Sequence, residues 1–147
     1  MSTPAESAKL ILTLYEQRRE EVMRKARDFV VGFDPRTFEE FAGGMMGPNG
    51  AYVRMVLSYW DMAASLVLNG AIDAKMFQDA SGEFFLAYSR VEPFLPQLRQ
   101  VMGMPDFLKS LETFVSSIPD GKQRVESVRQ FIRQMLANSA AAAASAK

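Results

Sequence analysis

The sequence predicts an all-α fold, an irregular bundle of four to five main helices joined by short connecting helices. Apolar residues recur at spacings of three and four along most of the chain, as on one face of a helix. Residues that start and end helices bracket these stretches, and no stretch shows the apolar–polar alternation of a strand. With 147 residues, 48% of them apolar and 23% charged, the composition is that of one ordinary soluble domain.

The first predicted helix covers residues 4–31. Thr3 can cap it, Pro4 suits its first position, and Glu6 completes a capping box. One continuous helix over this range would be about 42 Å long, whereas a compact domain of this size is roughly 38 Å across. A projecting helix would expose apolar residues to water, so we expect a homodimer through the first helix. Its predicted apolar stripe is Ala8, Ile11, Tyr15, Val22, Ala26 and Phe29.

The later helices are predicted from the same periodicity. Gly82 weakens the fourth helix, and Pro93 and Pro96 interrupt the chain after it. We assign residues 1–136 to a single helical domain and residues 137–147 to an alanine-rich tail that frays. The predicted helices after the first lie near residues 35–41, 51–68, 73–91, 105–118 and 122–136.

Residues 43–50 form a glycine-rich segment ahead of the third long helix, a place where phosphate-binding loops occur. The segment lacks the Gly-Lys-Ser/Thr ending of such a loop and the glycine spacing of a dinucleotide site. It therefore predicts a linker or mobile flap. Met45 and Met46 within it could cover an apolar groove, because methionine adapts to irregular surfaces.

The helix at 51–68 holds the candidate binding residues. It is apolar on most of its circumference, which predicts a helix surrounded by others. One interpretation of its single polar row is a pocket lining in which Arg54 and Asp61 orient a ligand, and the other is a narrow edge facing solvent. An apolar ligand could instead lie against Tyr59, Trp60 and Tyr88, between this helix and the next. The polar row is Arg54, Ser58, Asp61 and Ser65.

Composition excludes several classes of function. The chain has no histidine and no cysteine, so it cannot build a Ser-His-Asp triad, a Cys-His pair or a Cys/His zinc site. Adjacent acids such as Glu20 and Glu21 point in different directions on a helix and do not form a catalytic pair. We therefore expect no enzymatic activity, no catalytic residues, no cofactor and no bound metal.

Charge and hydropathy bear on partners and location. Lys+Arg and Asp+Glu both number 17, so there is no surplus of cations for nucleic acid. The most apolar stretch, 52–68, is interrupted by Arg54 and Asp61 and does not predict a membrane span. The absence of cysteine fits a cytoplasmic protein.

The last predicted helix is basic. Lys122, Arg124, Arg129 and Arg133 stand against Glu126 alone, a pattern that suits a membrane surface or an acidic partner. The segment 28–92 is acidic, however, so pairing between the two regions explains the pattern without any outside partner and is the interpretation that we favour.

Part of the middle of the chain resembles a known family. The matching residues are segments 56–63 (VLSYWDMA) and 68–73 (LNGAID), followed by Phe77 and Arg99. They resemble a bacterial all-helical family of unknown function whose members often carry membrane helices ahead of the helical part. This resemblance implies the fold and no activity, and the chain departs from the family in showing no such membrane segment.

The sequence thus predicts a non-enzymatic interaction or scaffold protein that self-associates. The alternative is a protein that binds a small apolar ligand in an aromatic pocket. Buried aromatic side chains that pack only on each other would favour interaction, and an open pocket beside Tyr59, Trp60 and Tyr88 would favour ligand binding.

Overall fold

The computed structural model describes residues 1–146, which form an all-α fold without a strand, as the sequence predicts. Nine α-helices and one 3-10 turn follow one another through short connections. The helices are α1 (Pro4–Arg18), α2 (Glu21–Gly32), α3 (Phe38–Met46), α4 (Gly50–Leu68), α5 (Ala74–Ala80), α6 (Glu83–Val91), α7 (Leu95–Met102), α8 (Lys109–Ser117) and α9 (Gly121–Ser145), with the 3-10 turn at Glu92–Phe94.

Helix α4 is the centre of the bundle. Helices α2 and α8 pack most extensively against it, while α6 packs against α9. Its buried residues lie on two adjacent rows, as the sequence predicts for a helix surrounded by others. They are Val53, Val56, Leu57, Trp60, Ala63, Ala64 and Val67.

The predicted first helix is two helices, which corrects the sequence analysis. The chain breaks after Arg18, and the carboxylate of Glu20 accepts hydrogen bonds from the backbone amides of Val22 (3.0 Å) and Met23 (2.9 Å). Glu20 therefore caps α2 and does not sit within a continuous helix. Helix α1 is about 22 Å long, shorter than the domain is wide. The argument that a long helix must project, and so must dimerise, no longer holds.

The glycine-rich segment is mostly helical and is not a flap. Helix α3 runs through Gly43 and Gly44 to Met46, and α4 begins at Gly50, so only residues 47–49 connect them. A Cβ atom on Gly50 would overlap the carbonyl group of Met45. Glycine at this position lets α4 start in direct contact with the end of α3.

Two further helix boundaries differ from the sequence prediction. The fourth predicted helix separates into α5 and α6 at Ser81–Gly82, where the weakening effect of glycine becomes a break. Helix α8 starts at Lys109 because residues 104–108 form turns ahead of it. The residue before α8, Leu108, is buried with a φ of 57°, a left-handed conformation that is uncommon for a leucine.

Arginine side chains hold the ends of several helices. The last carbonyl groups of an α-helix have no partner within the helix and carry its negative dipole, so a cationic donor there is favourable. Four arginines from neighbouring elements supply this donor: Arg27 to the carbonyl of Arg18, Arg54 to Met45, Arg90 to Val30 and Val31, and Arg129 to Ser89. These hydrogen bonds connect the C-terminal end of each of these helices to a side chain of a neighbouring element.

The alanine-rich tail continues α9. Beyond Ile132 no residue of this helix is buried, and its side chains from 137 to 146 are all exposed. We call residues 134–146 the C-terminal arm. No helix among the described residues is both long and apolar enough to cross a membrane.

Candidate functional site

Trp60 lies in a closed aromatic cluster. Only 1% of its surface is exposed, and its ring meets that of Tyr59 edge-on with centroids 4.9 Å apart. Phe77, Phe84 and Phe114 complete the cluster, each within 5.6 Å of the next ring. These rings pack on each other, which is the arrangement that favours interaction over binding of an apolar ligand in this place.

Tyr59 has a structural role. Its hydroxyl donates a hydrogen bond to the carbonyl of Leu14 in the last turn of α1. Burial raises the pKa of Tyr59 to about 12, although the nearby charges of Arg18 and Arg27 act in the opposite direction. The phenol therefore stays protonated and joins α4 to α1 through this hydrogen bond.

Three members of the predicted polar row on α4 line surface hollows away from the aromatic cluster, Arg54 and Ser58 in one and Asp61 in another. Arg54 donates to the carbonyl of Met45 at the end of α3. Asp61 accepts a 2.9 Å hydrogen bond from the backbone amide of Leu111 in the first turn of α8. Since Leu108 provides no side-chain cap, Asp61 supplies one from another helix. Both charged residues therefore position neighbouring helices.

Tyr88 is separate from the aromatic residues of α4 and forms the floor of a groove of about 720 Å³. The walls come from the 3-10 turn and α7, from α8, and from the start of α9. We call this the polar groove, lined by Tyr88, Glu92, Pro96, Lys109, Glu112, Thr113, Ser116, Ser117, Lys122 and Glu126. Of the five predicted site residues, only Tyr88 contributes to it.

Both signs of charge line the polar groove. Glu112 accepts hydrogen bonds from Arg99 and from Lys109 (2.9 Å); although burial opposes ionisation, these donors and their charges lower its pKa. Glu92 and Glu126 both pair with Arg129 behind them. Burial, followed by the charges of Glu112 and Glu92, raises the pKa of Tyr88 to about 12. The floor is thus a neutral phenol between carboxylates.

A second surface hollow is apolar and rich in methionine. About 320 Å³ in volume, it lies between α3, α4 and the segment from α7 to α8. A neighbouring hollow of about 410 Å³ shares Phe107 with it and adds Met104. We call the two together the methionine groove. Its apolar lining is Met45, Ala51, Met55, Met102, Met104, Pro105, Phe107 and Leu108, with Arg54, Ser58, Asp61 and Asp106 as polar neighbours.

The basic residues of α9 are largely used inside the molecule. Arg133 forms a 2.9 Å ion pair with Asp34, which Arg90 and Arg36 also contact. Burial raises the pKa of Asp34, but the hydrogen bond from Arg133 and the charges of Arg133, Arg36 and Arg90 outweigh it and lower the pKa overall. Arg124 stacks on the ring of Phe85. Pairing between α9 and the acidic segment is therefore the interpretation that the structure favours.

Sequence reasoning missed most of the polar groove. Lys109, Glu112, Thr113 and Ser116 share one face of α8, so their spacing of three and four was a usable signal. Nothing in the sequence showed that this face meets Glu92 and Lys122 across a hollow. Among the described residues, no group of three or more acidic side chains is arranged to hold a metal ion.

Comparison with known proteins bears on the family alone. The sequence profile of a family described as "Domain of unknown function (DUF4760)" matches residues 3–118, from the cap of α1 to the end of α8. No curated protein and no solved structure shows significant similarity to the chain. Because the matched segment covers well over half of the chain, the chain belongs to the DUF4760 family. The segment includes the whole methionine groove and all of the polar groove except its α9 wall.

Proposed function

We propose that this domain is a non-enzymatic interaction module whose methionine groove receives an apolar helix. One contrast supports the proposal. The aromatic cluster around Trp60 is closed into the core, whereas two neighbouring, largely apolar hollows stay open on the surface. Flexible methionine side chains adapt to the shape of an inserted helix, which is how helix-binding grooves work.

The charged side chains support a binding role over catalysis. The chain has neither histidine nor cysteine. The carboxylates of Asp34, Asp61 and Glu112 accept hydrogen bonds that hold helices together. Although burial opposes ionisation, these hydrogen bonds and the neighbouring charges lower the pKa values of Asp34 and Glu112, so these two carboxyl groups are poor proton carriers near neutral pH.

The occupant that we propose for the groove is the C-terminal arm of a second copy, which gives a homodimer. The arm carries no charged side chain from Gln134 to Ala146, so burying it desolvates no charge. Phe131, just before the arm, is 64% exposed, and Met135 is also exposed on the same face. With a net charge of zero, charge repulsion does not oppose the contact. We place this assembly in the cytoplasm, a setting consistent with the absence of cysteine.

Light scattering of the purified chain tests the proposal. We expect a dimer at high micromolar concentration, and dissociation to monomers on either Phe131→Glu just before the arm or Met104→Glu in the groove. Both side chains are exposed, so the fold should tolerate the changes. A monomeric wild-type chain would exclude self-association.

Variants on α1 and α2, which together replace the predicted first helix, test the alternative dimer interface. Tyr15 and Val22 are exposed on α1 and α2, and they carried the prediction of a dimer through that helix. If Tyr15→Glu with Val22→Glu abolishes the dimer while Phe131→Glu leaves it intact, the interface lies on the first two helices and the arm-in-groove proposal is wrong.

A further inference from the structure

The polar groove has features that the interaction role does not use. Tyr88 is only 5% exposed. Its hydroxyl finds no hydrogen-bond partner among residues 1–146, yet it is not one of the unpartnered polar atoms that are fully enclosed by protein, which are Trp60 Nε1 and Arg99 Nη2. A nearly buried hydroxyl normally has a partner. Tyr88 lines the groove, so a molecule bound there could supply the partner.

Charge in the groove varies with depth. The side chains of Glu112 and Glu92 are 27% and 35% exposed and lie nearest the floor. Lys109, at 57%, and the exposed Lys122 lie at the rim. Lys122 has no ion-pair partner in the part of the chain that the structure describes. Negative charge thus surrounds the floor, while at the rim Lys109 and Lys122 stand beside Glu126, which is 52% exposed and pairs with Arg129.

The two ends of the groove favour opposite ligand groups. An anion beside Tyr88 would meet Glu92 and Glu112, whereas an ammonium group would be attracted to both and could donate to the Tyr88 oxygen. The pKa of Tyr88 is raised by burial and by these carboxylates, which agrees with a negative field at the floor. A carboxylate at the rim would find Lys122 and the hydroxyls of α8.

We propose that the polar groove binds a small amino-acid-like zwitterion, with its ammonium group at the Tyr88 hydroxyl and its acid group at the rim beside Lys122. The volume of about 720 Å³ is within the range of small-molecule sites. The lining residues Thr113 and Ser116 supply hydroxyls that suit a polar ligand of no net charge. This site is distinct from the methionine groove, so it stands or falls independently of the interaction proposal.

Nuclear magnetic resonance titration of the isotope-labelled full chain tests the site. The probes are 5-aminopentanoate, pentylamine and pentanoate, which share one carbon chain and differ in charge. We expect the chemical-shift changes of residues in the polar groove to saturate with 5-aminopentanoate. Pentylamine should bind more weakly than 5-aminopentanoate, and pentanoate should bind most weakly of the three. Equal or tighter binding of pentanoate, equal binding of pentylamine, or no saturation by about 20 mM, a very weak affinity, would each overturn the proposal.

Three variants locate the contacts. Tyr88→Phe removes only the unpaired hydroxyl and should lower the affinity for 5-aminopentanoate about three- to tenfold, the effect of losing one hydrogen bond. Lys122→Gln should lower the affinity for 5-aminopentanoate but not the affinity for pentylamine, because pentylamine has no carboxylate to contact Lys122. Lys9→Gln, which removes an exposed charge on α1, is the control and should change neither. Unchanged affinity in both groove variants would place any binding elsewhere and contradict the proposal.

Discussion

Single buried side chains in this protein do two kinds of work. The aromatic residues fill the core, and the arginines satisfy helix ends that the core cannot reach. Arg90 is only 2% exposed, and burial lowers its pKa despite the opposing charge of Asp34. Such a charge is tolerated because its donors meet the carbonyls of Val30 and Val31 and the carboxylate of Asp34.

Replacing Trp60 tests the aromatic core. Trp60→Ala should lower the free energy of unfolding by about 3–5 kcal/mol, because it removes a large side chain from a packed site. Urea denaturation measures the loss. Val101→Ala, at an exposed position on α7, is the control and should change stability by about 0.5 kcal/mol or less. Since Trp60 is the single tryptophan, its fluorescence should show a buried environment; an emission maximum typical of water would contradict the packing.

Asp34 should make the stability of the fold depend on pH in the acidic range. Its folded-state pKa is lowered, so its contribution is fully present above the unfolded value of about 3.9 and is lost as pH falls through the folded value. Asp34→Asn should cost about 1–3 kcal/mol at neutral pH, as for hydrogen bonds to charged groups, and should flatten the fall of stability below about pH 4. Urea denaturation across this pH range measures both effects.

Asp79→Asn is the matched control for Asp34. Asp79 pairs with Lys75 at 2.6 Å on the exposed surface, where an ion pair contributes about 1 kcal/mol or less. An Asp34→Asn variant with the same acid profile as the wild type would mean that the Asp34 pairs do not stabilise the fold.

At the scale of helices, the periodicity of apolar residues predicted that the helices exist better than it predicted where they begin and end. The two rows of α4 were correctly predicted because a surrounded helix is apolar over most of its surface. The break at Glu20 was missed because a glutamate is a good helix former and looks like half of an ion pair with Arg24. Its capping role appears only where the chain turns. Glycines 43, 44 and 50 suggested a flap, but close contact between α3 and α4 requires the last of them.

A cap from another helix should be measurable at Asp61. Asp61→Ala removes the acceptor for the Leu111 amide in the first turn of α8 and should cost about 1–2 kcal/mol, the usual range for helix caps. Ser58→Ala changes the same polar row but removes only a hydrogen bond within α4, and it should stay within about 0.5 kcal/mol. Equal stability of the two variants, measured by chemical denaturation, would show that Asp61 does not cap α8.

At the scale of the whole molecule, the sequence contained parts of the sites but not their arrangement. Tyr88 was named as a candidate from the sequence and lines the polar groove, whereas Tyr59 and Trp60, named with it, pack against each other in the aromatic cluster. Tyr88 meets Glu92, Glu112 and Lys122 instead because α6, α8 and α9 converge there. Such convergence depends on contacts between distant segments, which periodicity along one helix cannot report.

The limit of the folded domain gives the last prediction. Helix α9 buries Val125, Arg129 and Ile132, but from residue 137 onward its side chains are all exposed. A chain that ends at Leu136 should therefore keep the stability of the full chain within about 0.5 kcal/mol at low protein concentration. A chain that ends at Asp120 should unfold, because it loses the core contacts of α9 and the Arg133–Asp34 pair.

At high concentration, dimerisation through the arm would stabilise the full chain further, by mass action. A stability difference between the full chain and the chain ending at Leu136 that grows with concentration would support the arm contact. A large loss at every concentration would instead place the domain boundary beyond Leu136.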